Sequence, residues 1–202
     1  MSAEVDITIR NATVADVPSI ARLINDSAEL GLMLPRPMAT LYERVRELFV
    51  ADRGGAVVGV GGLSIIWADL AEVVSLVVDA GCRGHGLGGR LVEACVGEAR
   101  RLGVRRLMTL TYEQAFFERH GFVVVDRQAL PLKVWSECLR CPKNQACDEI
   151  AMIRVLDDVA ELTAPRADVA APRPTLIPIL AEGHPVVGDG IRRSSYPPVD
   201  GD

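Results

Sequence analysis

The sequence predicts a single α/β domain over residues 6–156, followed by a Pro-rich, flexible tail over residues 157–202. Three observations support this division. A β-branched apolar run at residues 72–78 enters a glycine-rich loop at residues 83–89 and then an amphipathic helix, which is the strand–loop–helix unit of α/β folds. The chain is 49% hydrophobic, enough for one sizeable core. Beyond the last strand, prolines interrupt short apolar clusters and no amphipathic period survives, as is typical of a flexible segment.

The first part of the chain reads as a strand, two helices and a second strand. Residues 6–10 alternate apolar and polar side chains, which predicts a strand. Thr13 opens a T-x-x-D capping pattern, and apolar residues then recur at helical spacing. Two prolines within residues 34–37 end this helix and predict a loop. Apolar side chains then predict a second amphipathic helix over residues 41–49, leading into a short strand.

A long hairpin precedes the glycine loop. Residues 53–55 form a glycine-containing turn, after which residues 56–66 read as a strand. Residues 67–69 connect it to the strand at residues 72–78. Several strands of the sheet therefore come before the loop.

The remaining elements complete the order β-α-α-β-β-β-α-β-α-β-β. The helix after the loop stops near Gly103 and is followed by a buried strand at residues 107–110. A short helix over residues 112–119, closed by a His-Gly pair, leads to a strand at residues 122–125. The last strand ends near residue 156. The apolar face of the long helix carries Leu91, Val92, Cys95, Val96 and Ala99.

Composition and charge exclude several function classes. The net charge is −5 and the chain has no basic block, which argues against nucleic acid and anionic membranes as partners. No uninterrupted apolar run reaches the ~20 residues that span a bilayer, and the start lacks the basic and apolar segments of a signal peptide. Five scattered cysteines do not form the pattern of a secreted disulfide framework. We expect a cytoplasmic protein with a small-molecule substrate, and a homodimer stays open.

The glycine loop is the most informative segment. A strand that ends in such a loop at a helix N-terminus offers unpaired backbone N–H groups and a positive dipole end, which suit a pyrophosphate. Read from Gly84, the loop satisfies the dinucleotide fingerprint G-x-G-x-x-G; read from Arg83, it is R-x-x-G-x-G. In a dinucleotide-binding fold, this loop follows the first strand, and an acidic residue stands about 20 positions after the loop. Arg105 and Arg106 stand at roughly that position, so the second reading is favoured over a dinucleotide site or a plain glycine turn.

The R-x-x-G-x-G pattern resembles the acetyl-CoA signature of the GNAT N-acetyltransferases, and the resemblance extends over residues 6 to about 155. Several strings are similar to the short bacterial amino-acid acetyltransferases that make N-acetylglutamate for arginine synthesis. These strings are Leu34-Pro35-Arg36, Trp67–Glu72, Leu110-Thr111 with Phe116–Phe122, Leu130–Trp135, and Cys138–Lys143 followed by Cys147–Met152. The last two are more diagnostic than the glycine loop. With no amino-acid-kinase domain ahead of this part, we expect the kinase-domain arginine sensor of the long synthases to be missing.

The resemblance implies a fold, a cosubstrate and a place to bind it. The fold is a single GNAT domain with a mixed, mostly antiparallel central sheet, splayed at the acetyl-CoA site, with helices on both faces. The pantetheine arm of acetyl-CoA would lie beside the strand before the loop, and the pyrophosphate on the loop, where glycines allow close approach. The backbone N–H of Val77 could stabilise the oxyanion. The predicted cofactor-binding residues are Leu76, Val77, Val78, Arg83, Gly84, His85, Gly86, Leu87, Gly88 and Gly89.

Acetyl transfer also needs catalytic groups. Glu72 begins the cofactor strand and is the leading candidate for the base that accepts the amine proton; a glutamate in solvent or in a salt bridge is the alternative. Many relatives place a tyrosine acid before the Gly-Phe ending, but Phe116–Glu118 stand there in this chain. Tyr112 could replace it, and protonation by solvent is the alternative. His120 is predicted to cap its helix rather than to transfer a proton.

Substrate recognition should involve cations. L-Glutamate carries two carboxylates beside its reacting amine, and these suit guanidinium and ammonium groups. Arg36, in the loop between the first two helices, is the first candidate, followed by Lys133 and Arg140 in the family-like segments. Each could instead be an ordinary solvated charge. Glutamine differs from glutamate by one charge and stays open as the acceptor.

The role of the cysteines stays open, and two functions other than amino-acid acetylation are possible. Cys138-x-x-Cys141 has the spacing of two zinc ligands, and Cys147 could be a third. A closed zinc site needs four ligands, so no metal is predicted. Packing, a redox-responsive disulfide and a metal site completed by Cys82 or a histidine stay open. The missing tyrosine favours a sensor that binds acetyl-CoA without turnover. An enzyme with another amine acceptor is the further alternative.

Overall fold

A seven-stranded mixed sheet organises residues 6–130 and 148–161, the part of the chain that the computed structural model describes. Its strands are β1 (Ile7–Asn11), β2 (Leu48–Arg53), β3 (Ala56–Trp67), β4 (Leu70–Val78), β5 (Arg106–Thr111), β6 (Val123–Val124) and β7 (Ile150–Val155). The helices are α1 (Val17–Glu29), α2 (Met38–Glu43), α3 (Leu87–Leu102) and α4 (Gln114–Glu118). In space the strands follow the order β1-β2-β3-β4-β5-β7-β6. Within this sheet β4 and β5 run parallel, and the other pairs are antiparallel.

The predicted element order and the α/β class are confirmed in the described residues. One element is wrong in its extent: the helix predicted over residues 41–49 stops at Glu43, and a 3₁₀ turn at Val45–Glu47 leads into β2. Leu48 packs in the core that contains α1, whereas Phe49 packs in the core that contains α3. Consecutive residues that are buried on opposite sides are typical of a strand that lies between two layers. An amphipathic helix would bury one face only.

Hydrophobic clusters pack on both faces of the sheet, and glycines in β3 bring α3 close to it. A Cβ at Gly61 would lie 3.1 Å from the Leu76 side chain and 3.4 Å from Leu91. A Cβ at Gly59 would lie 3.3 Å from Leu91 as well. Fully buried residues include Ile20, Ile24, Val50 and Val60 on the α1 side, and Leu91, Leu107, Phe122 and Met152 on the α3 side.

β4 and β5 pair over three positions and then separate. Leu70–Glu72 pairs with Arg106–Met108. One residue further, the Thr109 hydroxyl donates to the Val73 carbonyl oxygen at 3.3 Å. β4 continues to Val78 beyond the last ladder pair that these two strands form in the described chain. Parallel strands that diverge in this way leave a gap at their carboxyl ends, which is where α/β sheets bind ligands.

An ion-pair network joins β1, β2 and the start of α1. The Arg10 guanidinium donates to both Asp16 carboxylate oxygens at 2.7 and 2.8 Å and to Asp52 at 2.8 Å. The Asp16 carboxylate also accepts from the Thr13 backbone N–H at 2.7 Å and from the Thr13 hydroxyl at 2.8 Å, at the predicted T-x-x-D start. Hydrogen bonds from Arg10 hold the pKa of Asp16 well below its usual range, although Asp16 is buried.

We expect Asp16→Asn to lower the free energy of unfolding by on the order of 2 kcal/mol at neutral pH, because it weakens charge-assisted hydrogen bonds at a buried position. Since the pKa of Asp16 is lowered in the folded state, its contribution is complete above the unfolded pKa and is lost as the pH falls toward the folded one. The difference in the free energy of unfolding between wild type and variant should therefore be constant above about pH 5 and should decrease below about pH 4. Urea unfolding of both proteins measures this difference, and one that stays constant on acidification contradicts the assignment.

Packing on the domain continues to the end of the described chain. Leu156 and Val159 are buried in the core on the α3 side, and the Arg105 side chain donates to the Val159 carbonyl oxygen at 2.9 Å. Packing therefore reaches slightly past residue 156. Residues 162–202, which make up most of the predicted tail, lie outside the described residues. In the described part, no helix is long and apolar enough to cross a membrane.

Candidate active site

A cleft of about 750 Å³ opens where β4 and β5 separate. Four segments supply most of its lining: the α1–α2 loop, β4 from Glu72 to Val78, the glycine loop with the first turn of α3, and the end of β5 with α4. Ser27 of α1 and Glu149, just before β7, also line it. This volume lies within the range of small-molecule sites. The cleft therefore gathers the segments in which the sequence analysis placed its candidate residues.

The glycine loop forms an anion cradle from its backbone. After β4, the Asp79 carboxylate accepts from the Gly81 N–H at 3.0 Å, and a 3₁₀ turn follows. Gly84 and Gly86 have φ of 81° and 75°, in the left-handed region that glycine adopts without strain. The α3 ladder starts with the bond from the Arg90 N–H to the Gly86 carbonyl oxygen at 3.1 Å, so the N–H groups before Arg90 lie outside the ladder. These groups and the helix dipole suit a phosphate.

Small residues in the first turn of α3 let α4 pack against it. A Cβ at Gly88 would lie 3.3 Å from the Phe116 ring, and a Cβ at Gly89 would lie 2.5 Å from His120 Cε1. The centroids of the Phe116 and His120 rings are 4.8 Å apart. The two glycines therefore have a packing role in addition to the role predicted for them in cofactor binding.

The structure brings nearly all predicted cofactor residues to the cleft. Residues 76–78 of β4 line it, as do Arg83, Gly84 and residues 86–89. His85 is exposed and is not among the lining residues. Within the described chain, no atom lies within 4 Å of a Cβ built on Gly84. The cleft fits a ligand that combines a pyrophosphate with a long arm, as acetyl-CoA does.

β4 carries a bulge where it lines the cleft. Its ladder with β3 pairs Val77 with Val60 and Val74 with Gly62, so β4 has one residue more than β3 between these pairs. Ser75, within the bulge, has a φ of 54°, which is uncommon for a residue other than glycine. Bulges redirect backbone and side-chain groups next to active sites. The bulge lies on the segment predicted to contact the pantetheine arm.

Substitutions at Ser75 test the strain in this bulge. We expect Ser75→Gly to raise the free energy of unfolding by about 0.5 kcal/mol, because glycine adopts the positive φ without a Cβ clash. Ser75→Val should lower it by about 2 kcal/mol, since a β-branched side chain opposes that conformation. Chemical denaturation of the three proteins measures both effects. Equal stability of all three would contradict the bulge geometry.

Glu72 lies at the point where the two strands separate. It forms the last β4–β5 ladder pair with Met108 and pairs with Ser64 of β3. Its neighbour Val73 is buried in the core on the α3 side, so strand alternation places Glu72 on the opposite face, toward the α1–α2 loop. The Glu72 side chain is half-buried and lines the cleft. A carboxylate in this position can exchange a proton with a bound group.

Tyr112 and Arg36 line the same cleft from two other elements. Tyr112 is half-buried and follows β5 directly. Arg36 lies in the α1–α2 loop, which Asn25 holds in place: the Arg36 backbone N–H donates to Asn25 Oδ1 at 2.9 Å, and Asn25 Nδ2 donates to the Arg36 carbonyl oxygen at 3.2 Å. Lys133 and Arg140 lie outside the described residues.

Sequence reasoning missed several residues that line the cleft or support its lining. Asn25 orders the Arg36 loop across a separation of 11 residues, which leaves no local pattern. Ser75 adopts its positive φ because of a register shift between β3 and β4, which one sequence does not reveal. Arg119 and Glu149 also line the cleft, and as single charged residues they carry no signal that separates them from solvated ones.

Aromatic side chains pack together at residues 116 and 117, where the resemblance implied a tyrosine acid. The Phe117 ring is buried, 5.0 Å from the Phe116 ring and 5.2 Å from the Phe122 ring. The His120 N–H donates to the Phe117 carbonyl oxygen at 2.9 Å, and the His120 carbonyl oxygen accepts from Arg154 at 2.9 Å. The C-cap of α4 is Arg119, and His120 follows it; a capping role for His120 stays a prediction.

The two described cysteines are buried, and Cys82 also lines the cleft. Cys82 is buried, and its sulfur accepts from Arg53 Nη1 at 3.3 Å. Cys95 is buried in the core on the α3 side, and burial raises the pKa of its thiol to about 12, which disfavours the reactive thiolate. The described ranges contain no group of three or more His, Cys, Asp or Glu that could hold a metal ion. The predicted cluster Cys138, Cys141 and Cys147 lies outside these ranges.

Comparison with known proteins extends these findings. A family model described as the acetyltransferase (GNAT) family matches residues 21–122. An uncharacterised N-acetyltransferase of Chlorobaculum tepidum is 38% identical over 151 residues, which are 75% of this chain and 97% of that protein. The amino-acid acetyltransferase of Mycobacterium tuberculosis is 38% identical over 135 residues, 65% of this chain and 77% of that protein. The amino-acid acetyltransferase of Shewanella oneidensis is 33% identical over 127 residues, but the chain spans 28% of its length.

Two solved structures with bound CoA are also similar to this chain. A Mycobacterium tuberculosis protein in complex with CoA and NLQ is 33% identical with a TM-score of 0.66, and the match covers 74% of this chain and 99% of that one. N-acetylglutamate synthase from Neisseria gonorrhoeae, complexed with coenzyme A and N-acetyl-glutamate, is 26% identical with a TM-score of 0.68, covering 76% and 36%. The chain therefore belongs to the acetyltransferase (GNAT) family of acyltransferases, whose acetyl donor is acetyl-CoA, and groups within it with the amino-acid acetyltransferases.

Proposed function

We propose that the protein moves the acetyl group of acetyl-CoA to the α-amine of L-glutamate by direct attack, with L-glutamine as the second acceptor to test. The reaction would be the first step of arginine biosynthesis, in the cytoplasm. The observation that carries this proposal is the position of Glu72, half-buried at the fork between β4 and β5 and in the same cleft as the glycine cradle. A base and a donor site in one cleft allow direct transfer between two bound substrates.

Relatives support the choice of acceptor. The Neisseria gonorrhoeae protein whose GNAT-like part superposes on this chain is an N-acetylglutamate synthase crystallised with N-acetyl-glutamate. The chain covers 36% of that protein, so the inference uses only the part that both share. The Mycobacterium tuberculosis relative, matched over 77% of its length, carries the broader name amino-acid acetyltransferase.

The donor would be held mainly by backbone. The N–H groups of the glycine loop and the first turn of α3 would bind the pyrophosphate, and residues 76–78 would pair with the pantetheine arm as an added strand does. When bound, acetyl-CoA supplies a thioester whose carbonyl carbon the amine attacks. Val77, which follows the bulge in β4, is the donor predicted from the sequence, but its pairing with Val60 directs its N–H toward β3. The N–H groups of β4 that face the gap are therefore the proposed donors to the carbonyl oxygen as its charge develops.

Proton transfer is assigned to side chains of the cleft. Glu72 accepts the proton that the amine loses as the new C–N bond forms. The C–S bond then breaks, and the thiolate takes a proton from Tyr112 or from solvent. Tyr112 is proposed because it lies after β5, on the other side of the gap from β4.

Acceptor binding is assigned first to Arg36. Its loop is tied to α1 by the two hydrogen bonds to Asn25, so its backbone has a defined position beside the cleft. A planar guanidinium there suits a carboxylate of the amino acid. Lys133 and Arg140 stay predictions from the sequence for the second carboxylate.

The first experiment is CoA release from acetyl-CoA by the purified protein, measured across the free amino acids with Glu72→Gln as a control. Turnover with L-glutamate or L-glutamine that collapses in the variant supports the proposal. Binding of acetyl-CoA without turnover on any amino acid contradicts it.

A second candidate function is a sensor that binds acetyl-CoA without catalysis. Phe116 and Phe117 favour it, because these apolar residues occupy the positions where many relatives carry a tyrosine acid. The CoA-release experiment separates this candidate from the synthase. Screening peptide and antibiotic amines in the same assay separates the synthase from an acetyltransferase with another acceptor.

A further inference from the structure

Arg119 is an exposed arginine directly after α4 that lines the cleft. In the described part of the chain, its guanidinium has neither a hydrogen bond nor an ion pair. The adjacent Glu118 carboxylate accepts from Gln114 Nε2 at 2.7 Å and, within the described chain, forms no ion pair with Arg119. Arg119 therefore brings an uncompensated positive charge to the edge of the cleft.

Other described arginines near the glycine loop are engaged with the protein itself. Arg83 Nε donates to the Val78 carbonyl oxygen at 3.0 Å. Arg90 Nη2 donates to the Ile7 carbonyl oxygen at 2.7 Å, and Arg90 does not line the cleft. These bonds direct both side chains toward main-chain carbonyls. Arg119 is the guanidinium in this region that keeps all its donors for a ligand.

The position of Arg119 relates it to the anion cradle. It precedes His120, whose ring would lie 2.5 Å from a Cβ on Gly89 in the first turn of α3. Arg119 is thus one residue from a side chain in contact with the helix start that offers N–H groups to a pyrophosphate. A guanidinium that lines the cleft beside this cradle suits a second anion of the same ligand.

We propose that Arg119 binds the 3′-phosphate on the ribose of CoA and gives the site a preference for CoA over dephospho-CoA. This inference rests on the acetyl-CoA site described under the proposed function. CoA carries that monoester phosphate on the ribose next to its pyrophosphate, and dephospho-CoA lacks it. A planar guanidinium matches a phosphate with two parallel hydrogen bonds, and the dianion gains more from it than a neutral hydroxyl would.

Calorimetric titration of the full-length protein with CoA and with dephospho-CoA tests the proposal without any acceptor. We expect wild type to bind CoA about tenfold more tightly, equivalent to about 1.4 kcal/mol. Arg119→Gln should weaken CoA binding about tenfold and leave dephospho-CoA binding unchanged. Arg101→Gln is the matched control, because Arg101 is an exposed arginine at the far end of α3, paired with Glu98 and outside the cleft. It should keep the full preference.

Three outcomes overturn the inference. The first is wild-type protein that binds both ligands equally, and the second is an Arg119→Gln variant that loses affinity for both by the same factor, as a general structural defect would cause. The third is an Arg101→Gln variant that also loses the preference, since net charge would then explain it. If wild-type protein does not bind CoA, the proposed acetyl-CoA site is wrong and so is the role of Arg119. If it binds CoA but acetylates no amino acid, only the proposed acceptor is refuted, and the titrations still test Arg119. Arg119→Lys should keep part of the preference, because a single charge remains without the paired donors.

Discussion

Glu72→Gln is expected to lower kcat with the best amino acid by about 10²- to 10⁴-fold, the range for removal of a general base. The amide keeps the shape of the side chain but accepts no proton at neutral pH. Acetyl-CoA affinity should change by less than about threefold, because the predicted donor contacts come from backbone of β4 and the glycine loop. Steady-state kinetics and calorimetry on the same preparation measure both quantities.

Two further variants distinguish a general base at Glu72 from a general electrostatic effect of carboxylates in the cleft. Glu72→Asp keeps a carboxylate but withdraws it by one methylene, so kcat should fall less than in Glu72→Gln. Glu113→Gln removes another carboxylate that lines the cleft, an exposed one after β5, and should change kcat by less than about threefold. Equal losses in Glu72→Gln and Glu113→Gln would point to a field effect and contradict a base at Glu72. A Glu72→Gln enzyme with unchanged kcat would remove Glu72 from the mechanism altogether.

The second large effect is expected from Gly89→Ala. The added methyl would lie 2.5 Å from His120 Cε1 and 2.9 Å from its Nε2, so the imidazole must move or the first turn of α3 must shift. Either change disturbs the contact between α3 and α4 beside the anion cradle. We expect CoA affinity to fall by at least about tenfold and the free energy of unfolding to fall by about 1–3 kcal/mol, the range for overpacking.

Gly97→Ala on the same helix is the matched control. No atom of the described chain lies within 4 Å of a Cβ at Gly97, and the residue is exposed in the helix interior. Here alanine should raise the free energy of unfolding by about 0.5–1 kcal/mol, because it loses less conformational freedom than glycine. CoA affinity should not change. Opposite signs for the two glycines would show that contact with His120 outweighs helix propensity at residue 89. A stabilised Gly89→Ala protein with normal CoA affinity would contradict the packing role.

Local patterns were sufficient for most of the fold. The β-branched run at residues 72–78, the glycine loop and the apolar stripe of the following helix predicted β4, the cradle and α3, because each depends on neighbours in sequence. The pattern failed at Leu48 and Phe49, where apolar spacing compatible with a helix belongs to a strand buried on both sides. Tertiary burial outweighed the local period there.

The sequence by itself determined the family, the anion cradle and which residue types could do the chemistry, since these follow from strings and spacings read along the chain. Tertiary structure decided the rest. The fork that presents Glu72 depends on β4 and β5 losing their ladder after residue 72, and the bulge at Ser75 depends on a register shift against β3. The support of Arg36 by Asn25 and the contact of His120 with Gly89 join residues far apart in the chain. Strand pairing and side-chain packing between distant segments set these features, and no local pattern in one sequence encodes them.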